Sequence, residues 1–206
     1  KLQTINLSLN KISTFTYQIG KLTRVKSLCI RGNHLQVIPP AIGNMQALIH
    51  LDISWNYLTT LPEEIGHLSH LKSLNISHNQ ISLLPPSMAR MTHLQALDLS
   101  YNALEDHENL RAFGATMTHL SFLDCSFNML SSLPDSFSHL SSLCYFDASN
   151  CRLQKIPEAV FSSRLEKLEL VNLSFNFLKH LPQSVALLSA LSVLDVRENY
   201  LVNCPD

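Results

Sequence analysis

Glycine is scarce in this chain, five in 206 residues. None stands in a GxGxxG or P-loop arrangement, so the backbone cradles that hold nucleotide phosphates are missing. Charged residues make up only 15% and the formal net charge is −1. Without a polybasic stretch, the electrostatic footprint expected of a nucleic-acid or anionic-membrane binder is absent. No apolar run approaches the roughly 18–20 residues that span a bilayer. The five cysteines, Cys29, Cys125, Cys144, Cys151 and Cys204, include no CxxC pair and do not cluster at either end. An odd, scattered set excludes a disulfide framework and points to a reducing compartment, hence a cytoplasmic location. Neither HExxH nor GxSxG occurs. No catalytic residue, cofactor or metal is therefore expected. The serines that might serve a triad form one column, Ser8, Ser54, Ser77, Ser100, Ser126, Ser149 and Ser174, which repetition explains.

What the chain does have is apolar content, 46%, in a strict order. The pattern LxxLxLxxNxL recurs, with asparagine at Asn10, Asn33, Asn56, Asn79, Asn102, Asn128, Asn176 and Asn199, and Cys151 in the same slot. The first four steps are 23 residues, and the next four are 26, 23, 25 and 23. A fixed period of this length is the signature of a solenoid, and it sets the expected fold before any local reading does. Leu-x-Leu alternation, as at Leu51 and Ile53 or Leu97 and Leu99, predicts a strand in each unit. A short amide side chain after the strand can bond the backbone of its own turn and of the neighbouring unit, and stacked copies then make a ladder. Cys151 offers a weaker version of that bond.

The second half of each unit reads Leu-Pro-x-x-Ile-Gly-x-Leu-x-x-Leu, as in Leu61, Pro62, Ile65, Gly66, Leu68 and Leu71. Pro39, Pro62, Pro85, Pro134, Pro157, Pro182 and Pro205 all sit six residues after the ladder slot. Proline removes a ladder donor, so no sheet continues there, and extended or short helical turns are expected on that side. A compact strand edge and a wider outer edge curve the stack, with a parallel sheet lining the concave face. The expected fold class is therefore an α/β repeat solenoid, one array of about nine repeats of 23–26 residues over residues 1–206. Two units are irregular. His107 and Glu108 replace Leu-Pro, and three extra residues follow before Met117 and Leu120 restore the frame, so a short helix is expected over 108–117. That insertion reads either as a tolerated surface loop or as a second contact point or kink. Val160–Leu168 is lengthened in the same manner. Both ends run straight into repeat sequence with no polar cap, which predicts an excerpt of a longer chain or ends covered by partners.

Solvent-facing strand positions of such an array become vertical stripes. The column before the ladder slot reads Leu9, Gly32, Trp55, His78, Tyr101, Phe127, Asn150, Phe175 and Glu198. Stacked exposed aromatics are unusual on a surface that touches nothing, and Trp, Tyr and Phe are enriched at protein interfaces. Lateral packing of the rings on one another is the structural alternative. Phe122 and Tyr145 add rings near the middle. The strand-centre column carries Asp52, Asp98, Asp124 and Asp147, with Lys26, Arg31 and Lys72 on the early strands and Glu169 on the later side. Aromatic anchors beside carboxylates suit a partner segment bearing Arg or Lys. His70, His93 and His119 share one slot of consecutive units and are the best metal candidate, although solvated polar positions explain them more simply. The sequons at Asn6, Asn75 and Asn172 are by-products of the strand consensus.

On these residues the sequence resembles leucine-rich-repeat proteins throughout. The 23-residue unit with Leu-Pro-x-x-Ile-Gly-x-Leu is most similar to the intracellular Ras-group type, seen in Scribble, Erbin and Ras-pathway scaffold proteins. The resemblance implies a non-catalytic scaffold binding a protein partner through its concave face, with a small GTPase, a phosphatase subunit, a polarity protein or an assembly subunit as candidates. A targeting or regulatory segment of a multidomain kinase, phosphatase, cyclase or ligase is an alternative reading, as is a structural component of a cytoskeletal or ciliary assembly. A receptor ectodomain is disfavoured by the absence of cysteine-rich caps.

Overall fold

The structure is a computed structural model that describes residues 1–105 and 108–203. His107, Cys204 and Pro205 lie outside the described residues. Nine short strands form one parallel sheet in chain order: β1 (Thr4–Asn6), β2 (Ser27–Cys29), β3 (His50–Asp52), β4 (Ser73–Asn75), β5 (Ala96–Asp98), β6 (Phe122–Asp124), β7 (Tyr145–Asp147), β8 (Leu170–Asn172) and β9 (Val193–Asp195). Register follows the repeat, with Leu28, Leu51, Leu74, Leu97, Leu123, Phe146 and Val171 paired in line and all buried. The 26- and 25-residue steps do not disturb it, since Asp98 pairs with Asp124 and Asp147 with Asn172. The fold is the expected leucine-rich-repeat horseshoe.

Opposite the sheet, the described residues form six 3₁₀ turns, at Tyr17–Lys21, Pro40–Asn44, Glu63–His67, Pro86–Arg90, Asp135–His139 and Gln183–Leu187. Pro39, Pro62, Pro85, Pro134 and Pro182 precede five of them with φ between −68° and −76° and ψ between 134° and 149°. The fixed proline φ thus delivers the chain, extended, to the start of a tight helical turn. Ile42, Ile65, Met88 and Phe137 plug these turns into the core. Gly43 is there because the stack is tight: a methyl group on it would stand 2.5 Å from the Glu64 carbonyl oxygen. The insertion forms the expected short helix, α1 (Glu108–Thr116), in place of a 3₁₀ turn. Leu110, Phe113 and Met117 are buried at helical spacing, so α1 continues the core against Pro86–Arg90 and Asp135–His139.

The asparagine ladder locks each unit to the one before. Asn56 Oδ1 accepts the Leu35 N–H at 3.0 Å, while Nδ2 donates to the Ile30, Ile53 and Ser54 carbonyls at 3.2, 3.1 and 3.0 Å. Asn33, Asn79, Asn102, Asn128, Asn176 and Asn199 repeat the arrangement. These bonds satisfy backbone groups that strands of three residues leave unpaired.

Candidate functional site

The residue before each ladder slot adopts a left-handed conformation, with φ from 51° to 58° at Leu9, Trp55, His78, Tyr101, Phe127, Asn150, Phe175 and Glu198, and 67° at Gly32. All of these except Glu198, which lies in the last described unit, still donate the N–H to the next unit, as Trp55 does to the Ser77 carbonyl at 2.9 Å and Tyr101 to the Ser126 carbonyl at 3.0 Å. The turn exists to let the strand end and the asparagine fold inward, and it swings the preceding side chain outward. For a non-glycine residue it costs on the order of 1 kcal/mol.

That outward swing builds a stack. The Trp55 and His78 rings lie 3.8 Å apart, His78 and Tyr101 4.1 Å, and Tyr101 and Phe127 3.9 Å, all within 21° of parallel. Trp55, Tyr101 and Phe127 remain 48%, 42% and 39% exposed. The rings therefore pack on each other and keep their edges open. The Arg31 guanidinium covers the free face of Trp55 at 5.8 Å, and Arg197 covers Phe175 at 5.8 Å. Burial between two rings lowers the pKa of His78, against a smaller raising pull from Asp98 and a lowering push from Arg31. The stack lines a groove of about 700 Å³ that runs from Gly32 to Asn150.

A second column, one residue past the ladder slot, was not singled out in the sequence. His34 stacks on Tyr57 at 5.8 Å and Phe177 on Tyr200 at 6.1 Å, with Tyr57, Phe177 and Tyr200 exposed. His34, Tyr57 and Gln80 line the far side of the groove. The signal was available as aromatics two residues after Trp55 and Phe175, but that position falls between the asparagine and the next leucine and does not read as a strand.

On the strands, Phe122 and Tyr145 stack at 4.7 Å beside the carboxylate column. Asp52 and Asp98 each accept the N–H and O–H of the serine two residues on, at 3.0 and 2.6–2.7 Å. The serine column is correspondingly buried at Ser54, Ser77, Ser100, Ser126, Ser149 and Ser174. These serines hold a variable position of the motif and are nonetheless buried, because the chain curls inward straight after the strand and alternation ends there. The Asp column thus caps the strand end with one oxygen and keeps the other toward the concave side. Asp147 is drawn in furthest, 7% exposed, with Oδ2 accepting from Tyr145 Oη at 3.2 Å and Asn172 Nδ2 at 2.8 Å. Burial pushes the Asp124 carboxyl up to about 6, partly offset by hydrogen bonds from Ser126 and reinforced by Asp147 and Asp98. The same surroundings push Tyr145 up to about 12, burial first and the Asp147 charge second.

His93 and His119 lie 6.0 Å apart and are exposed, and no group of three metal-ligating side chains comes together among the described residues. Cys29, Cys125, Cys144 and Cys151 are free thiols. No helix among the described residues is long and apolar enough to cross a membrane.

The comparisons agree with this architecture. A TDR receptor structure is similar with a TM-score of 0.84 and 27% identity, over 97% of this chain and 35% of that one. The internalin inlF of Listeria monocytogenes is similar with a TM-score of 0.71 and 21% identity, over 100% of this chain and 62% of that one. The functional domain of InlJ from the same organism follows at 0.68 and 20%, over 95% and 44%. The chain thus spans between 35% and 62% of these structures. No curated protein matches the chain in sequence. The family described as Leucine rich repeat matches residues 23–81, 65–104 and 146–201, and again 119–140. Most of the sequence is covered by these matches, and the chain belongs to the leucine-rich-repeat family.

Proposed function

We propose that this array is a non-catalytic interaction scaffold whose concave face and its aromatic edge bind a partner protein. The observation that carries the reading is the four-ring stack held in a strained backbone. Trp55, His78, Tyr101 and Phe127 keep left-handed φ where glycine, as at Gly32, would relieve it. A surface that only had to turn the chain has no need of large rings there, whereas rigid, half-exposed aromatics are the usual anchors of binding energy. Phe175, Phe122 and Tyr145 extend the apolar surface, and Asp52, Asp98, Asp124 and Asp147 give it negative character toward a partner carrying Arg or Lys. The free thiols and the Leu-Pro-x-x-Ile-Gly turns support the intracellular Ras-group type and a cytoplasmic setting. Within that type, a small GTPase, phosphatase subunit, polarity protein or assembly subunit is the partner class we favour.

The test is affinity capture from native lysate with three proteins: the intact chain, a Trp55→Ala/Tyr101→Ala/Phe127→Ala variant, and a His67→Ala/His70→Ala/His93→Ala variant of the opposite side. Loss of the same partner in the first variant alone is expected. Loss in the histidine variant alone transfers the binding surface to the convex side.

A further inference from the structure

The aromatic stack has missing rungs, and the chain shows what fills two of its open faces. Gly32 leaves the rung before Trp55 without a side chain, and the neighbouring Arg31 lays its guanidinium over the bare face of Trp55 at 5.8 Å. At the other end Glu198 supplies no ring, and Arg197 covers Phe175 in the same way. The same guanidinium-on-ring contact thus closes the column beside Trp55 and beside Phe175.

A third rung is open. Asn150 stands between Phe127 and Phe175 with the same left-handed φ, 51°. Its short amide is half-buried and makes no ring contact. One face of Phe127 is covered by Tyr101, which leaves the other toward Asn150. Arg197 covers one face of Phe175, which again leaves the other toward Asn150. The residue corresponding to Arg31 and Arg197 is here Ser149, buried at 4% and unable to reach a ring. Two steps of the parallel sheet set Phe127 and Phe175 about 8–10 Å apart, a gap that admits one planar group. The groove along the stack ends at this rung.

We infer that the Asn150 rung is a socket for the guanidinium of a partner's arginine side chain, inserted between Phe127 and Phe175. A planar, weakly hydrated cation suits two ring faces, and the chain already uses that group at both other open faces. Asp124 and Asp147 lie on the strands beside the rung, while Arg152 in the next column and Arg197 on the far face of Phe175 bring positive charge nearby. The inference rests on the concave-face reading and adds the chemistry of one anchor to it.

The experiment is an NMR titration of the full chain with N-acetyl-arginine amide, following the ring protons of Phe127 and Phe175, with Trp55 as an internal reference. The lysine and citrulline analogues serve as comparison probes. Saturable shifts confined to Phe127 and Phe175, about tenfold weaker with lysine and lost with citrulline, are expected. Asn150→Phe fills the rung and should remove the response, while Asn150→Gly keeps it empty at a compatible φ and should retain it. Equal response to citrulline, equal shifts at Trp55, or identical behaviour of the two variants overturns the socket. The wild-type titration decides even where a variant is unstable. A negative result that accompanies partner loss in the Trp55/Tyr101/Phe127 variant removes the socket and leaves the concave-face reading standing.

Discussion

The Cys151 thiol donates to the Cys125 carbonyl oxygen at 3.4 Å, in the slot where the flanking repeats place Asn128 and Asn176. Each of those asparagines accepts one backbone N–H and reaches three carbonyl oxygens. Asn128→Ala should therefore lower stability by about 3 kcal/mol, because it orphans the buried Leu104 N–H and the Leu99 carbonyl and leaves the Cys125 carbonyl with the weak Cys151 thiol. Cys151→Asn should raise it by about 1 kcal/mol by restoring the missing rung of the ladder. Urea midpoints at unchanged slope read both.

The left-handed column separates strain from stacking. Glu198→Gly removes a side chain that is not itself a ring of the stack, so it should stabilise the array by about 1 kcal/mol. Tyr101→Gly relieves the same strain but removes contacts at 4.1 and 3.9 Å to His78 and Phe127. It should come out neutral or destabilising. Equal stabilisation by the two changes would show that the rings contribute nothing to folding.

Asp124 gives the array a pH dependence of known sign. Its folded pKa, about 6, lies above the ordinary value of 3.8, with burial as the first cause. The folded state thus disfavours the charged form. The penalty is fully present above pH 6 and disappears as pH falls toward 4, so this group makes the array more stable in mild acid. Asp124→Asn should raise stability at pH 7.5 and flatten the difference between pH 7.5 and pH 5. Denaturant titrations of both proteins at the two pH values check it. Binding of a cationic partner should move the opposite way, weakening as Asp124 is neutralised.

Stacking of the outer turns depends on Gly43. Gly43→Ala drives a methyl group against the Glu64 carbonyl and should cost about 1–3 kcal/mol. A matching change at Gly32 acts differently, since its φ of 67° and the Leu9 side chain 2.7 Å from an added Cβ both oppose it.

Much of this was legible before any coordinates. The asparagine and proline spacings placed nine strands and the turns opposite them, and the frame shift after Asn102 placed a short helix over 108–117, which forms at Glu108–Thr116. Trp55, Tyr101 and Phe127 were brought together as expected because equal spacing on a parallel sheet leaves them no other arrangement. Other features depend on angles that a period does not encode. Only Gly32 and Asn150 hinted at positive φ in a column otherwise filled by residues that resist it. The burial of Ser54 and its column follows from the inward curl after the strand, which period-two alternation cannot foresee. Asp147 is withdrawn because Tyr145 and Asn172 close over it, a three-residue relation specific to that part of the sheet.

The central claim is that the aromatic edge is the surface a partner covers. Hydroxyl-radical footprinting of the chain alone and with its captured partner tests this directly. Oxidation of Trp55, Tyr101 and Phe127 should fall several-fold in the complex, while His67, His70 and His93 react as before. Unchanged oxidation of the three rings, with protection confined to the histidine side, would contradict the account.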